Sequence, residues 1–276
     1  MTKKIDFLIS TDLDGTLLNY NDFSFEQIIP FIKRIIKKNI LIIVNTSKTA
    51  SEVIEFLNII NHPLPFIVES GSAIYYPKQK STSKKISLNN FDIIYSSKST
   101  TQIEKILKNK KLLKFKNLYK LTKEIDDKTL SEFSGLKIKE LANLKKRSYS
   151  HLMIWNSSQK NLRKFKIELE AEGMTLLKGA RFLHLKSKGD KGLALLNFID
   201  YLKNNKIEFH RSISLGDSVN DLPMLSITDY SCIIKLPNDY FLNFKGESVI
   251  RSKKVAPLGW KEALMQVKPF FNHLNK

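Results

Sequence analysis

With 276 residues, 42% hydrophobic and 26% charged, the chain has enough apolar mass for one large packed domain or two modest ones. No apolar run approaches the roughly 18 residues of a membrane helix, and the basic start MTKK leads into a stretch broken by Asp6 and Asp12, unlike a secretory signal. The net charge of +19 is spread over lysines in almost every segment, without a basic stripe interleaved with aromatics or glycines. It therefore points to steering of an anionic small molecule rather than to nucleic-acid binding. The lone Cys232 cannot form an internal disulfide, which fits a reducing compartment. The expectation is a cytoplasmic monomer or homodimer with no membrane or nucleic-acid partner.

In chain order, residues 6–11 read as a buried strand and 24–38 as a helix with Ser24 and Gln27 in capping-box spacing, although Pro30 makes its start ambiguous. Residues 40–45 read as a strand, 49–60 as a helix and 65–70 as a third strand. The alternation resumes with a helix at 191–204, a strand at 212–216, a helix at 220–226, a strand at 231–236 and a last helix from about 260. Such alternation implies a parallel sheet with helical crossovers. Between the blocks, polar joints rich in Lys and Ser surround one extended HLMIWN segment (151–156) and a helix at 160–172. The expected fold class is α/β: a Rossmann-like parallel-sheet core formed by residues 1–80 and 187–276, carrying an inserted α+β cap at 81–186.

Chemistry concentrates at two acidic stretches. In FLISTDLDGT, strand alternation points Asp12 and Asp14 the same way while Leu13 points into packing. Two carboxylates in one site repel unless a cation sits between them, and a hard, oxygen-preferring ion such as Mg2+ suits the pair. In SLGDSVNDLPML, a strand again runs through glycine into Asp217, Asn220 and Asp221. Loops at the carboxyl ends of parallel strands share a crevice, so these acids can meet Asp12 and Asp14 there.

DLDGT and GDSVND together resemble the first and fourth motifs of the haloacid dehalogenase superfamily phosphatases. In register with them, IIVNTSKT offers Thr46 as the phosphate-holding hydroxyl of the second motif, and GDKGLAL offers Lys191 as the lysine of the third. The resemblance implies that Asp12 attacks phosphorus to form an aspartyl-phosphate, and that Asp14 acts as general acid and then base. It also implies a magnesium ion bound by Asp12, by the main-chain oxygen of Asp14 and by Asp217, with Asp221 a water-mediated ligand or an orienting group.

The insertion resembles the cap of the Cof-like branch. Nearly end to end, the chain is similar to the mannosyl-3-phosphoglycerate phosphatases, through TSKT (46–49), PFIVESGSAIY (65–75), SGLKIKELANLKKRSYS (134–150), KGARFLHL (178–185), DKGLAL (190–195) and LGWKEA (258–263). This implies a phosphorylated sugar-glycerate substrate and a glycosylglycerate product of the compatible-solute kind. Lys48, Arg147 and Arg181 are expected to pair with its anionic groups, and Glu69, Ser70, Gly71 and Asn220 to lie near the sugar or the cation. His184, alternating with Phe182, reads as structural. Ser70 replaces the family's usual Asn, and His151–Leu152 replace an acidic residue followed by proline, so specificity is open to drift towards the glucosyl analogue. The alternatives are a generalist Cof-like sugar-phosphate phosphatase and a non-catalytic binder of sugar phosphates or nucleic acid. Retention of both Asp12 and Asp14 speaks against the binder.

Overall fold

A computed structural model describes residues 2–78, 85–135, 138–179 and 181–276. The expected core–cap junction at 80/81 lies outside the described residues.

The first strand, β1 (Lys3–Thr11), is followed by a 3-10 turn and helix α1 (Ile29–Ile36). No capping box forms at Ser24. Its amide and hydroxyl both donate to Asp22, and the helix opens with Pro30 in its first turn, where a missing N–H is harmless. Strand β2 (Ile40–Asn45) leads to α2 (Ala50–Ile60), which Thr49 and Glu52 close with a reciprocal capping box. Strand β3 is confined to Phe66–Val68, shorter than the 65–70 expected, because Glu69 and Ser70 turn left-handed with φ of 51° and 57°. Strands β4 (Ala73–Pro77) and β5 (Phe91–Ser96) then add antiparallel hairpin edges to the same sheet, and the latter falls inside the stretch expected to form the insertion.

From there the chain forms α3 (Thr100–Leu107), a short α4 (Lys110–Leu113), β6 (Tyr119–Leu121), α5 (Asp127–Ser134), α6 (Ile138–Lys145), β7 (Ser150–Trp155), α7 (Gln159–Ala171), β8 (Met174–Lys178) and β9 (Leu183–Ser187). It returns through α8 (Lys191–Asn204), β10 (Ile207–Gly216), a 3-10 turn at Val219–Asp221, α9 (Leu222–Leu225), β11 (Tyr230–Lys235), β12 (Val249–Val255), α10 (Leu258–Gln266) and α11 (Lys268–Leu274).

Two sheets result. The large one has the order β12-β11-β10-β1-β2-β3-β4-β5 and is parallel from β12 to β3; the small one has the order β6-β7-β9-β8 and is antiparallel. Alternation splits the large sheet's side chains between two cores. Phe7, Ile9, Ile42 and Val44 pack on one face, and Leu8, Ile43 and Ile67 pack on the other against Phe198 and Leu202 of α8. Each buried Leu or Ile side chain contributes roughly 1.5–3 kcal/mol, so both faces hold β1 rigidly under the site it carries. In the small sheet, Met153 and Leu185 join Phe165 of α7 on one face, while Leu152 and Phe182 meet Leu130 and Leu141 on the other. Among the described residues no helix is long and apolar enough to cross a membrane.

Candidate active site

β1 lies between β10 and β2, pairing Thr11 with Leu215 on one side and Val44 on the other. The three strands therefore end side by side, and Asp12, Asp217 and Thr46 follow them directly. This is the point where strand order reverses, and it leaves a crevice at the carboxyl edge. After Asp12 the chain turns back sharply, the amides of Thr16, Leu17 and Leu18 all donating to the Leu13 carbonyl at 2.8–3.1 Å. Gly15 permits this with φ +74°, and a Cβ there would sit 2.8 Å from Asp217 Oδ2. Only glycine lets the two acidic loops approach so closely.

Asp12, Asp217 and Asp221 are all buried and offer carboxylate oxygens within 4.8 Å of one another. The fully buried Lys191 ammonium bridges two of them, 2.9 Å from Asp12 Oδ1 and 2.6 Å from Asp221 Oδ1. Burial pushes the Asp12 carboxyl up to about 7; Lys191 opposes this and Asp221 adds to it. Asp217 is raised well above the usual carboxylate range by burial and by its two acidic neighbours, although Thr16 donates a 2.6 Å hydrogen bond to its Oδ1. Burial works against the charge on Lys191, but Asp12 and Asp221 outweigh it and raise its pKa. Three carboxylates facing one ammonium leave negative charge without compensation, and buried oxygens in this arrangement suit a hard divalent cation.

Asp221 has little capacity left for such an ion. Its Oδ2 already accepts the amides of Asp217 (3.1 Å) and Ser218 (3.0 Å) and the Ser218 hydroxyl (2.9 Å). It holds the loop and Lys191 in place. Asp12 and Asp217 are the side chains best able to take a cation. Asp14 lies at the mouth, partly exposed, with Lys48 Nζ 2.9 Å from its Oδ1. Burial raises its pKa and Lys48 lowers it, with a net rise. Lys48 also lies 3.5 Å from Glu52 and 4.5 Å above the Phe23 ring. Thr46 is buried at the end of β2, its hydroxyl accepting the Lys48 amide at 3.2 Å.

The remaining expected contacts divide. Ser70 and Gly71 form the left-handed turn beside Thr46, where Ser70 N–H donates to the Thr46 carbonyl at 3.0 Å. A Cβ on Gly71 would lie 2.2 Å from the Asp190 carbonyl, so glycine here lets the turn seat against the entry to α8. Glu69 does not project freely into the crevice. Its two oxygens accept the amides of Ser148 (2.9 Å) and Tyr149 (3.2 Å) and the Ser150 hydroxyl (2.5 Å), tying the core turn to the start of β7. Arg147 reaches the same junction, donating to the Ser47 carbonyl at 3.3 and 3.4 Å and to Ser150 Oγ at 3.1 Å. Asn220 is exposed and accepts the Ser218 hydroxyl, and Arg181 is exposed on the β8–β9 turn. His151 faces Glu104 (3.2 Å) and the Thr100 carbonyl (3.3 Å), so this departure from the family pattern is directed into contacts with α3 rather than into the crevice.

Four supporting residues escaped the sequence reading. Thr16 lies within DLDGT, and its hydroxyl donates to Asp217 Oδ1 across the two acidic loops. Glu52 caps Thr49 and flanks Lys48, a spacing visible as T-x-x-E. Buried Asn45 donates to the Lys191 carbonyl at 2.9 Å. Trp260 Nε1 donates to Thr11 Oγ1 (2.9 Å), whose hydroxyl in turn donates to the Asp12 carbonyl (2.8 Å). Nothing local marks these last two.

The crevice at the strand ends, lined by acids around one buried lysine, defines a hydrolase of the haloacid dehalogenase type. The chain matches the haloacid dehalogenase-like hydrolase family over residues 9–240 and belongs to it. It is 32% identical over 266 residues to a glucosyl-3-phosphoglycerate/mannosyl-3-phosphoglycerate phosphatase from Persephonella marina, covering 94% of this chain and 96% of that one. A protein of the same name from Methanococcoides burtonii is 28% identical over the same shares. Among solved structures, a phosphatase of the superfamily from Bacteroides thetaiotaomicron superposes with TM-score 0.64 at 14% identity, covering 98% of this chain and 96% of that one. A haloacid dehalogenase-like hydrolase from B. subtilis gives 0.60 at 18%, covering 94% and 99%. These two establish likeness of fold.

Proposed function

We propose that this phosphatase hydrolyses mannosyl-3-phosphoglycerate or glucosyl-3-phosphoglycerate to the glycosylglycerate and phosphate, with Mg2+ as cofactor. The observation that carries the reading is the buried Lys191 held between Asp12 and Asp221, with Asp217 alongside, at the mouth of three adjacent parallel strands. Similarity to the two phosphatases supports the substrate class. The core is built on the large sheet and the cap on the small one, with the crossings near 97–99 and 187–190. The lone buried Cys232 fits a cytoplasmic setting, and the enzyme works as a monomer or homodimer.

Asp12 and Asp217, with the Asp14 main-chain oxygen, would hold the ion, and Asp221 would orient them. When bound, the cation neutralises phosphate oxygens and relieves the repulsion among the carboxylates. An Asp12 carboxylate oxygen forms a bond to phosphorus as the bond to the glycerate oxygen breaks, giving an aspartyl-phosphate. Asp14, favoured in its protonated form by burial, gives its proton to the departing oxygen. It then takes a proton from the water that attacks phosphorus and frees Asp12. Lys191 and Thr46 position the phosphoryl oxygens and disperse their charge. Lys48 holds Asp14 in place, and Arg147 and Arg181 serve the anionic remainder of the substrate.

Phosphate release from mannosyl-3-phosphoglycerate, glucosyl-3-phosphoglycerate and a panel of simple hexose phosphates tests this. One of the two glycosyl esters should exceed every hexose phosphate in kcat/KM by at least about tenfold. Equal turnover across the panel would replace this reading with a generalist sugar-phosphate phosphatase.

A further inference from the structure

The small sheet turns one polar patch towards the core. Ser150 pairs with Lys186 and Leu152 with His184 across β7 and β9, so these four side chains share a face. Ser150 meets Glu69 and Arg147, which fixes that end of the face against the turn after β3. Lys186 is 1% exposed, and its ammonium donates to the Gly189 carbonyl at 2.7 Å, two residues before Lys191. The cluster thus sits between the Thr46 loop, reached by Arg147, and the Lys191 turn, reached by Lys186.

Its two cations, Arg147 and Lys186, face two carboxylates that are already engaged by other donors. Glu69 lies 4.0 Å from Arg147 and spends both oxygens on the 148–150 backbone and Ser150. Asp190, the other carboxylate near Lys186, caps α8 through the Leu193 amide at 2.8 Å. The Arg147 side chain is 9% exposed, yet its Nε–H has no acceptor. A buried guanidinium donor without a partner is costly, and the planar fork of an arginine is matched by a carboxylate.

We propose that Arg147, His184 and Lys186 form a carboxylate subsite, separate from the phosphoryl site, that receives the acid group of the substrate. This rests on the phosphoglycerate reading above and deepens it. Glu69 is then a positioning residue, holding the 148–150 loop beside Arg147. Two side observations agree. Burial, Arg147 and Lys186 together push His184 down to about 3, and burial pushes Lys186 down to about 8 despite Asp190 and Glu69.

The test compares kcat/KM for the preferred glycosyl-3-phosphoglycerate with that for the same ester bearing a carboxamide in place of the carboxylate. A charge-assisted contact predicts that the wild type prefers the acid by at least about tenfold. In Lys186→Met that ratio falls to within about threefold of unity through KM, and Lys186→Arg restores most of it. A ratio unchanged by Lys186→Met overturns the proposal; if that variant does not fold, Arg147→Met carries the same comparison. Should neither ester turn over, titration calorimetry with glycerate decides separately. Binding to the wild type that is lost in Lys186→Met keeps the subsite while the substrate reading fails. Absence of binding, or equal binding by both proteins, overturns the subsite.

Discussion

Without a cation, the carboxylate cluster should destabilise the fold, and Asp12→Asn isolates that cost. Asp12 is 5% exposed and its pKa rises from 3.8 to about 7, mainly through burial. A gap of about 3 units at about 1.4 kcal/mol each gives roughly 4 kcal/mol of penalty on the ionised form. The folded pKa lies above the unfolded one, so the penalty is complete above about pH 7, is small by about pH 4 and is lost below that, where both states hold the proton. Asparagine keeps the volume and removes the charge, but Lys191 then retains only Asp221 at 2.6 Å. With about half the gain offset in this way, and roughly 2–4 °C per kcal/mol for a large domain, Asp12→Asn should melt about 4–8 °C above wild type at pH 8 in chelator. Scanning fluorimetry from pH 4 to 8 reads this, and the gain should shrink steadily towards pH 4. Magnesium should reverse the order by binding the wild-type cluster. A variant less stable than wild type at pH 8 in chelator, or a gain independent of pH, would refute the electrostatic reasoning.

Other substitutions probe single steps. Asp14→Asn should lower kcat by about 10²–10⁴-fold in steady-state phosphate release, with the fold intact by circular dichroism. Gly15→Ala should lower kcat by at least about 10²-fold, because its methyl group would press on Asp217 Oδ2 from 2.8 Å and separate the acidic loops. Trp260→Phe keeps the ring in the core but removes the donor to Thr11, and should cost about 1 kcal/mol in denaturant unfolding. Glu69→Gln, which replaces one acceptor with a donor facing the 148–150 loop, should cost about 1.5–3 kcal/mol in the same assay.

The parallel core was legible because its strands are buried on both faces and read as apolar runs, as in FLIST and ILIIV, while Thr49 and Asp190 cap the following helices with local chemistry. The acidic loops were legible for the same reason that they work: acid beside glycine at a strand end has few other uses. Edge strands hid themselves. β12 reads VIRSKKV, with most of its side chains exposed, and carries none of the apolar density that marks a central strand. Ser24 misled because its spacing to Gln27 fits a cap, whereas Asp22 captured the hydroxyl and Pro30 fixed a later start. Glu69 shows the deeper limit. A lone carboxylate after a strand says nothing about which amides it will accept, and its partners lie about 80 positions away on a loop leading into the small sheet.

The central claim is that Asp12, activated beside Lys191 and a divalent ion, attacks the phosphate ester. Its most direct test is phosphate release from the preferred glycosyl ester by wild type with magnesium, by wild type in excess chelator, and by Asp12→Asn with magnesium. Turnover should appear in the first and fall at least about 10³-fold in the other two. Hydrolysis by Asp12→Asn at a rate near wild type, or rates indifferent to the chelator, would contradict it.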